Sequence, residues 1–393
     1  MMKRLTATGL FFFSVFAVSQ AQAAGFYYGE ETKGITVSAN ESDLNVRIRL
    51  QPRMDFGDII IAKDGKSYAT DKDFYFRRVR LEAGGHLVKT FKYHLALAGD
   101  KWDKTGNSNA VIVHTAYVEW EPIEPVSVIF GKEKLPYSRV SLTSSSKRLL
   151  VENPASTEAA KKLFGKTDPY YQPKFAVKGK ILDGVIAYEA AVADGWANGE
   201  AVQTTPARAV YKSKPLYVAR VEFSPPNFVE GKKSDAHLGS GRHLTLGLNY
   251  ANQSSIEYST TADNRESRIL KGLDLSGHYN GLTAQFEFNE WKVETSDRAV
   301  ANSHPKGWYA QAGYFIEGIN IEPAARYEIY NQDSKQRDMA EKDTTLGVNW
   351  YGKGHSLKAG LNWVNTKYET FAGGRLTNAN KKNVYQLQAQ MYF

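Results

Sequence analysis

Apolar and polar residues alternate one by one along most of this sequence. At the C-terminus one parity is apolar or aromatic, and the other is largely glutamine, with Gln386, Gln388 and Gln390. Because successive side chains of a β-strand point to opposite faces, this pattern predicts a strand with one apolar face and one wet face. The first such segment, Leu44 to Phe56, alternates in the same way. Taken alone, its polar face would suit a soluble sheet equally well.

Repetition decides between these two readings. Sixteen such segments follow one another from Leu44 to the C-terminus. The links between them alternate between short turns, such as Asn280-Gly281, and long polar stretches, such as 332–342. One link, 225–241, is long where a short one is expected. We therefore predict an all-β fold, a transmembrane antiparallel β-barrel of about 16 strands with short periplasmic turns and long extracellular loops.

The N-terminus has the features of a secretory signal. Lys3 and Arg4 precede an apolar stretch over 10–18, and Ala21-Gln22-Ala23 follows as a small-residue cleavage motif. The apolar stretch is shorter than the roughly 20 residues of a spanning helix, which argues against an uncleaved anchor. We predict a signal peptide at 1–23, an N-terminal periplasmic segment at 24–42 and the barrel at 43–393.

Composition excludes several classes of protein. Cysteine is absent, so disulfides, thiolate metal sites and cysteine nucleophiles are excluded. The formal charge of +8 is spread evenly, which gives no support to nucleic-acid binding. The eight histidines are scattered, no nucleophile elbow accompanies them, and acidic residues do not follow calcium-loop order. We therefore expect a protein that is not an enzyme and needs no cofactor or metal.

Several segments also resemble one known family. They are Phe76-Arg77-Arg78-Val79-Arg80-Leu81, Thr115 to Trp120, Gly307 to Tyr314 and Leu346 to Tyr351. In sequence and order they are similar to segments of the phosphate-selective porin O and P family, and the likeness covers nearly all of the mature chain. The resemblance implies an outer-membrane barrel, usually trimeric, that conducts ions and small solutes. It also implies that the loop at about 136–170 folds inward.

The candidate functional residues are basic side chains on the lumen side. Strand parity places Arg47, Arg49 and Arg53 beside Arg78 and Arg80 on two neighbouring strands. The loop implied to fold inward adds further bases, namely Arg139, Lys147 and Arg148. Such a positive lining favours small, phosphate-like anions. In the alternative interpretation, these residues pair with acidic neighbours or face solvent, and contribute only to stability.

These observations predict a water-filled porin in the bacterial outer membrane that prefers anions. Its expected partners are small anionic solutes, outer-membrane lipid and, from the family resemblance, two further copies in a homotrimer. A plugged structural or adhesive barrel without channel activity is the alternative. Phe393, at the end of the last strand, resembles the assembly signal of outer-membrane porins.

Overall fold

Sixteen strands form the body of the molecule. The computed structural model describes residues 25–27, 34–63, 66–165, 170–197, 199, 201–202, 208–258, 264–297, 301–369 and 381–393. The predicted signal peptide, residues 1–23, lies outside the described residues. The first eight strands are β1 Ser42–Lys63, β2 Lys66–Val88, β3 Phe91–Trp102, β4 Ile112–Ile123, β5 Val126–Lys134, β6 Tyr171–Ile181, β7 Ile186–Ala193 and β8 Leu216–Phe223. The second eight are β9 His243–Glu257, β10 Arg265–Tyr279, β11 Leu282–Thr295, β12 Lys306–Tyr314, β13 Ile321–Asn331, β14 Ala340–Lys353, β15 Leu357–Tyr368 and β16 Lys381–Tyr392.

The sheet closes on itself. Each strand pairs antiparallel with the next, as in β7 with β8 and β8 with β9. The last strand then pairs with the first, with Tyr392 opposite Arg49 and Leu387 opposite Met54. Closure leaves no open edge, which a sheet in lipid cannot tolerate. The prediction of a sixteen-stranded antiparallel barrel is confirmed.

The two faces of the barrel differ as the alternation requires. Large apolar side chains are exposed on the outside; Phe130 is 68 % exposed and Tyr217 is 53 % exposed. Polar side chains of the opposite parity are buried inside the barrel, for example Asp274, Thr283 and Asn362. A soluble protein buries its apolar side chains and exposes its polar ones. The arrangement is reversed in an outer-membrane barrel, because lipid covers the outer face.

The links alternate in length as predicted. Asn280 and Gly281 both have positive φ, which suits the two-residue turn between β10 and β11. The segment 224–242, here called the periplasmic link, is the long exception on the short-turn side. The long link between β5 and β6 holds two short helices, α1 Arg139–Leu142 and α2 Ala155–Lys161, and a 3₁₀ turn, Lys162–Phe164. No helix within the described ranges is long and apolar enough to cross a bilayer.

Residues ahead of the barrel also join the sheet. Ile35–Ala39 forms a short antiparallel hairpin with the start of β1, with Ala39 opposite Ser42. The strand Ile35–Ala39 lies within the segment 24–42 that we expected to be periplasmic. Further short strands are Gly25–Tyr27, paired with Ile35–Ala39, then Ala201–Val202 with Arg208–Ala209, and Lys212–Ser213, paired with β9.

Phe393 lies at the seam that closes the barrel. Its backbone N–H donates to the Ile48 carbonyl at 3.0 Å, and its carbonyl accepts from the Ile48 N–H at 2.6 Å. Its side chain is 51 % exposed on the lipid-facing parity. The ring therefore contributes little to packing within the chain, which suits a role in assembly.

We expect Phe393→Ala to lower the amount of folded protein in the outer membrane, because it removes the ring but keeps both backbone hydrogen bonds. Heat-modifiable mobility of membrane fractions on gels measures this. Phe393→Tyr, which keeps a terminal aromatic ring, serves as the control. Wild-type levels of folded Phe393→Ala would show that the ring is not an assembly signal.

Candidate functional site

The link between β5 and β6 crosses the interior of the barrel. At one end, Leu163 and Phe164 are buried in an apolar cluster that includes wall residues of β6 to β9. Further along the loop, Asn349 of β14 donates to the Leu149 carbonyl at 2.7 Å. Because β6 and β14 lie on different sides of the closed sheet, the segment spans the lumen. We call its described residues, 135–165, the constriction loop.

Small residues on the inner wall make room for this loop. Ala176, Ala191 and Ala251 are buried at lumen-side positions of β6, β7 and β9. They form one cluster with Tyr137 and Phe164 of the constriction loop. These strand positions should face the water-filled lumen, where polar residues are expected. Apolar residues at such positions are therefore the sequence signal for the surface where the loop docks.

The predicted arginines of β1 and β2 lie together on the inner wall, and most are paired. Arg47 and Arg49 both contact Glu82, the first at 3.4 Å. The remaining ion pairs use carboxylates of β1, β3 and the loop: Arg53 with Asp55 at 2.6 Å and with Glu152, and Arg80 with Asp100 at 2.9 Å. The alternative of structural ion pairing therefore describes four of these five arginines.

Arg77 is a lumen residue that strand parity missed. The register between β1 and β2 shifts, so that Arg78 is opposite Gln51 and Phe76 is opposite Pro52. This bulge leaves Arg77 without a cross-strand partner and turns it inward, where its Nε is 2.5 Å from Glu152. Pro52 was the available signal, because proline within a strand often marks a bulge.

Arg78 differs from its neighbours in having a neutral partner. Its Nη1 donates to Gln51 Oε1 at 2.9 Å. Asp100 Oδ2 lies 4.0 Å from its Nε, and Asp100 already accepts two hydrogen bonds from Arg80. The charge of Arg78 is therefore only partly compensated.

Arg148 of the constriction loop is the second such group. Its Nε and Nη1 are buried and have no hydrogen-bond partner among the described residues. Burial lowers the pKa of the Arg148 guanidinium, against the opposing effect of Glu152 and Glu158. Arginine nevertheless stays protonated in proteins, so Arg148 brings into the lumen a positive charge that forms no ion pair among the described residues.

Arg78 and Arg148 line one cavity of about 210 Å³. Arg77 and Arg80 line it as well, and its acidic groups are Asp100 and Glu158. At about 30 Å³ for each water, this volume holds about seven waters. The cavity has room for a small hydrated anion and an excess of positive charge to attract it. We call it the arginine cavity.

The other two predicted loop bases have different surroundings. Arg139 is fully buried and donates to both carboxylate oxygens of Glu230 in the periplasmic link, each at 2.8 Å. Burial alone would raise the pKa of Glu230, but the Arg139 guanidinium holds it well below its usual range. Lys147 is half-buried, and burial followed by the charge of Lys232 lowers its pKa. Arg139 thus anchors the loop, whereas Lys147 adds to the positive charge.

A larger cavity of about 1080 Å³ opens toward the periplasmic side. Three of its lysines have acidic partners: Lys92 with Glu121 at 2.5 Å, Lys178 with Glu119 at 2.9 Å and Lys233 with Glu222 at 2.8 Å. Positive and negative groups therefore compensate one another around this vestibule. Among the described residues, the lining of the arginine cavity has an excess of positive charge.

The chain is similar to known proteins along most of its length. The model of the family described as phosphate-selective porin O and P matches residues 46–393. The chain is 36 % identical to an uncharacterized protein of Aquifex aeolicus, over 96 % of this chain and 94 % of that one. It is 22 % identical to Porin O of Pseudomonas aeruginosa, over 88 % and 87 % of the two chains. The anion-selective porin from Comamonas acidovorans has a similar fold, with a TM-score of 0.62 at 14 % identity over 90 % of this chain and all of that one.

Proposed function

The chain belongs to the phosphate-selective porin O and P family, and on that premise we propose that its channel prefers small anions at the arginine cavity. The protein is a porin of the bacterial outer membrane, with a closed barrel around a polar lumen. The observation that supports anion preference is the pair Arg78 and Arg148. They face one cavity, and neither has a carboxylate within hydrogen-bond distance in the described structure.

The constriction loop is needed for these charges to act on a passing ion. Sixteen strands about 4.8 Å apart and tilted near 40° give a barrel about 30 Å across. The Debye length at physiological salt is only about 8 Å, so wall charges would scarcely affect an ion on the axis of an open barrel. A loop across the lumen forces ions toward the wall and carries Arg148 to them.

The chemistry of arginine suits oxyanions such as phosphate. The guanidinium is planar and offers two parallel N–H groups to a pair of oxygens. Conduction also requires that an ion leave as readily as it enters, which a few weak sites in sequence permit. We propose that Arg78 and Arg148 form the strongest of these sites, with Lys147 adding to the field. The other predicted arginines of β1 and β2 form ion pairs with acidic neighbours; they are Arg47, Arg49, Arg53 and Arg80.

The test is the reversal potential of the purified protein in planar bilayers under a potassium chloride gradient. We expect the sign of an anion-preferring channel and a fall in chloride current when phosphate is added. A reversal potential of the opposite sign would reject anion preference. A folded protein that inserts without conductance would favour the plugged structural barrel.

We further propose that the channel assembles as a homotrimer, as its family implies. Light scattering in mild detergent, corrected for bound detergent, should give three times the mass of the mature chain. The heat-denatured sample provides the monomer mass for comparison. A monomeric mass for the folded protein would contradict the proposal.

A further inference from the structure

Three histidines and a glutamate meet at the periplasmic end of the lumen. The ring of His237, from the periplasmic link, lies 4.5 Å from the ring of His243 and 4.6 Å from that of His278. Glu230 Oε1 is 3.4 Å from His237 Nε2. His243 and His278 are each 3 % exposed. The periplasmic link brings together residues that are far apart in the sequence, which explains why their spacing did not reveal the cluster.

Ring nitrogens in this cluster lack partners. His243 uses Nε2 for a contact with Ser276 Oγ at 3.3 Å, and His278 uses Nδ1 for a contact with Thr283 Oγ1 at 3.1 Å. The other nitrogens, His243 Nδ1 and His278 Nε2, are buried with no hydrogen-bond partner in the part of the chain that the structure describes. Buried polar atoms without partners are rare in proteins and call for a ligand or another explanation.

We infer that Glu230, His237 and His243 bind one transition-metal ion of the zinc class. Their ligand atoms all lie within 4.8 Å of one another. Ligands of a tetrahedral zinc at about 2.0–2.1 Å are about 3.3 Å apart, so the widest pair of the group must close by at most about 1.5 Å. Glu230 and His237 belong to a link outside the sheet, which allows this closure.

The donor set determines the class of ion. Imidazole nitrogen together with a carboxylate suits zinc, nickel or copper, whereas calcium and magnesium prefer sites made of oxygen. His278 lies beside this group, and its ring stacks on that of His237 with the ring centres 4.6 Å apart. Thiolate ligands play no part, because the chain has no cysteine.

Neighbouring residues orient the ligands, as is usual around metal-binding histidines. Ser276 contacts His243 through the ring nitrogen that faces away from the free one. Arg139 holds Glu230 by two hydrogen bonds, so that carboxylate offers the ion only part of its charge and the histidines supply most of the binding. A bound ion would join the periplasmic link to β9 and, through Glu230 and Arg139, to the constriction loop.

Calorimetric titration of untagged, chelator-treated protein in detergent micelles with zinc chloride tests this inference. We expect one zinc per chain, no comparable binding of magnesium or calcium, and affinity at least 100-fold weaker in His237→Gln. His94→Gln is the matched control, because His94 is a lumen histidine of β3 that contacts Thr115 Oγ1 at 2.9 Å, outside the cluster. It should bind zinc as the wild type does.

Cobalt gives a second readout. Bound in the same site, it should show the visible absorption of tetrahedral nitrogen and oxygen coordination, and this signal should be lost in His237→Gln. His243→Gln repeats the test in case the first variant does not reach the folded, heat-modifiable form. The inference is overturned if the wild type binds no zinc, if either folded variant binds as tightly as the wild type, or if calcium competes equally.

Discussion

Replacing both Arg78 and Arg148 with glutamine is expected to lower the chloride-to-potassium permeability ratio by about tenfold. These two guanidiniums face the arginine cavity without a carboxylate within hydrogen-bond distance in the described residues. At about 7 Å and an effective dielectric constant of about 40, between protein and water, one charge acts on a monovalent ion by about 1 kcal/mol. Two such charges, reduced by screening, give about a tenfold effect. Reversal potentials under a salt gradient measure the ratio.

The matched control removes two positive charges from the rims instead. Arg242 is exposed at the periplasmic end, and the Arg265 side chain is 51 % exposed at the extracellular end. Arg242→Gln with Arg265→Gln changes the net charge by the same amount, and should leave the ratio within about twofold of the wild type because solvent screens both positions. If the two double variants shift the reversal potential equally, the arginine cavity does not select the ion.

The architecture could be predicted from sequence because it depends on a local rule. Each strand repeats its apolar residues at every second position, and closure then follows from the requirement that no edge faces lipid. The same rule placed Arg49 and Arg78 on the inner wall. Parity describes the direction of a side chain, which is set within one strand.

The partners of those arginines could not be predicted in the same way. Asp100 lies on β3 and meets Arg80 only in the observed register, and Glu152 meets Arg53 and Arg77 only because the constriction loop returns to the wall. Register and loop position depend on contacts between segments distant in sequence. That Arg148 forms no ion pair with a described residue is likewise a property of the assembled lumen.

The periplasmic link shows the same limit. The sequence showed that this link is longer than the other turns on its side of the barrel. It did not show where the link packs. In the structure its Asp235 and Ala236 N–H groups donate to the Lys147 carbonyl at 3.1 and 3.2 Å. The link therefore contacts the constriction loop from the periplasmic side. Turn length alone cannot predict such a contact, because it depends on where the loop lies inside the barrel.

Glu230→Gln is expected to release the constriction loop from this support. The Arg139 and Glu230 side chains are 1 % and 7 % exposed, and they form the buried ion pair between loop and link. Removing one partner of a buried pair leaves an uncompensated charge and costs about 3–5 kcal/mol. If local opening becomes easier by about 3 kcal/mol, amide exchange of 138–150 should accelerate by about 100-fold. Mass spectrometry of exchanged peptides measures this, and single-channel current should become noisier as the loop moves.

Glu121→Gln is the control for this effect, because it also breaks an ion pair between a basic side chain and a glutamate, but at a more solvent-exposed position. The Lys92 and Glu121 side chains are 38 % and 32 % exposed, and such pairs contribute about 0–1 kcal/mol. Its exchange over 138–150 should match the wild type. Equal exchange in Glu230→Gln and wild type would mean that the apolar docking of Leu163 and Phe164 holds the loop without the ion pair. The loop would then be anchored at the wall of β6 to β9, and the ion pair between Arg139 and Glu230 would have no part in setting the width of the channel.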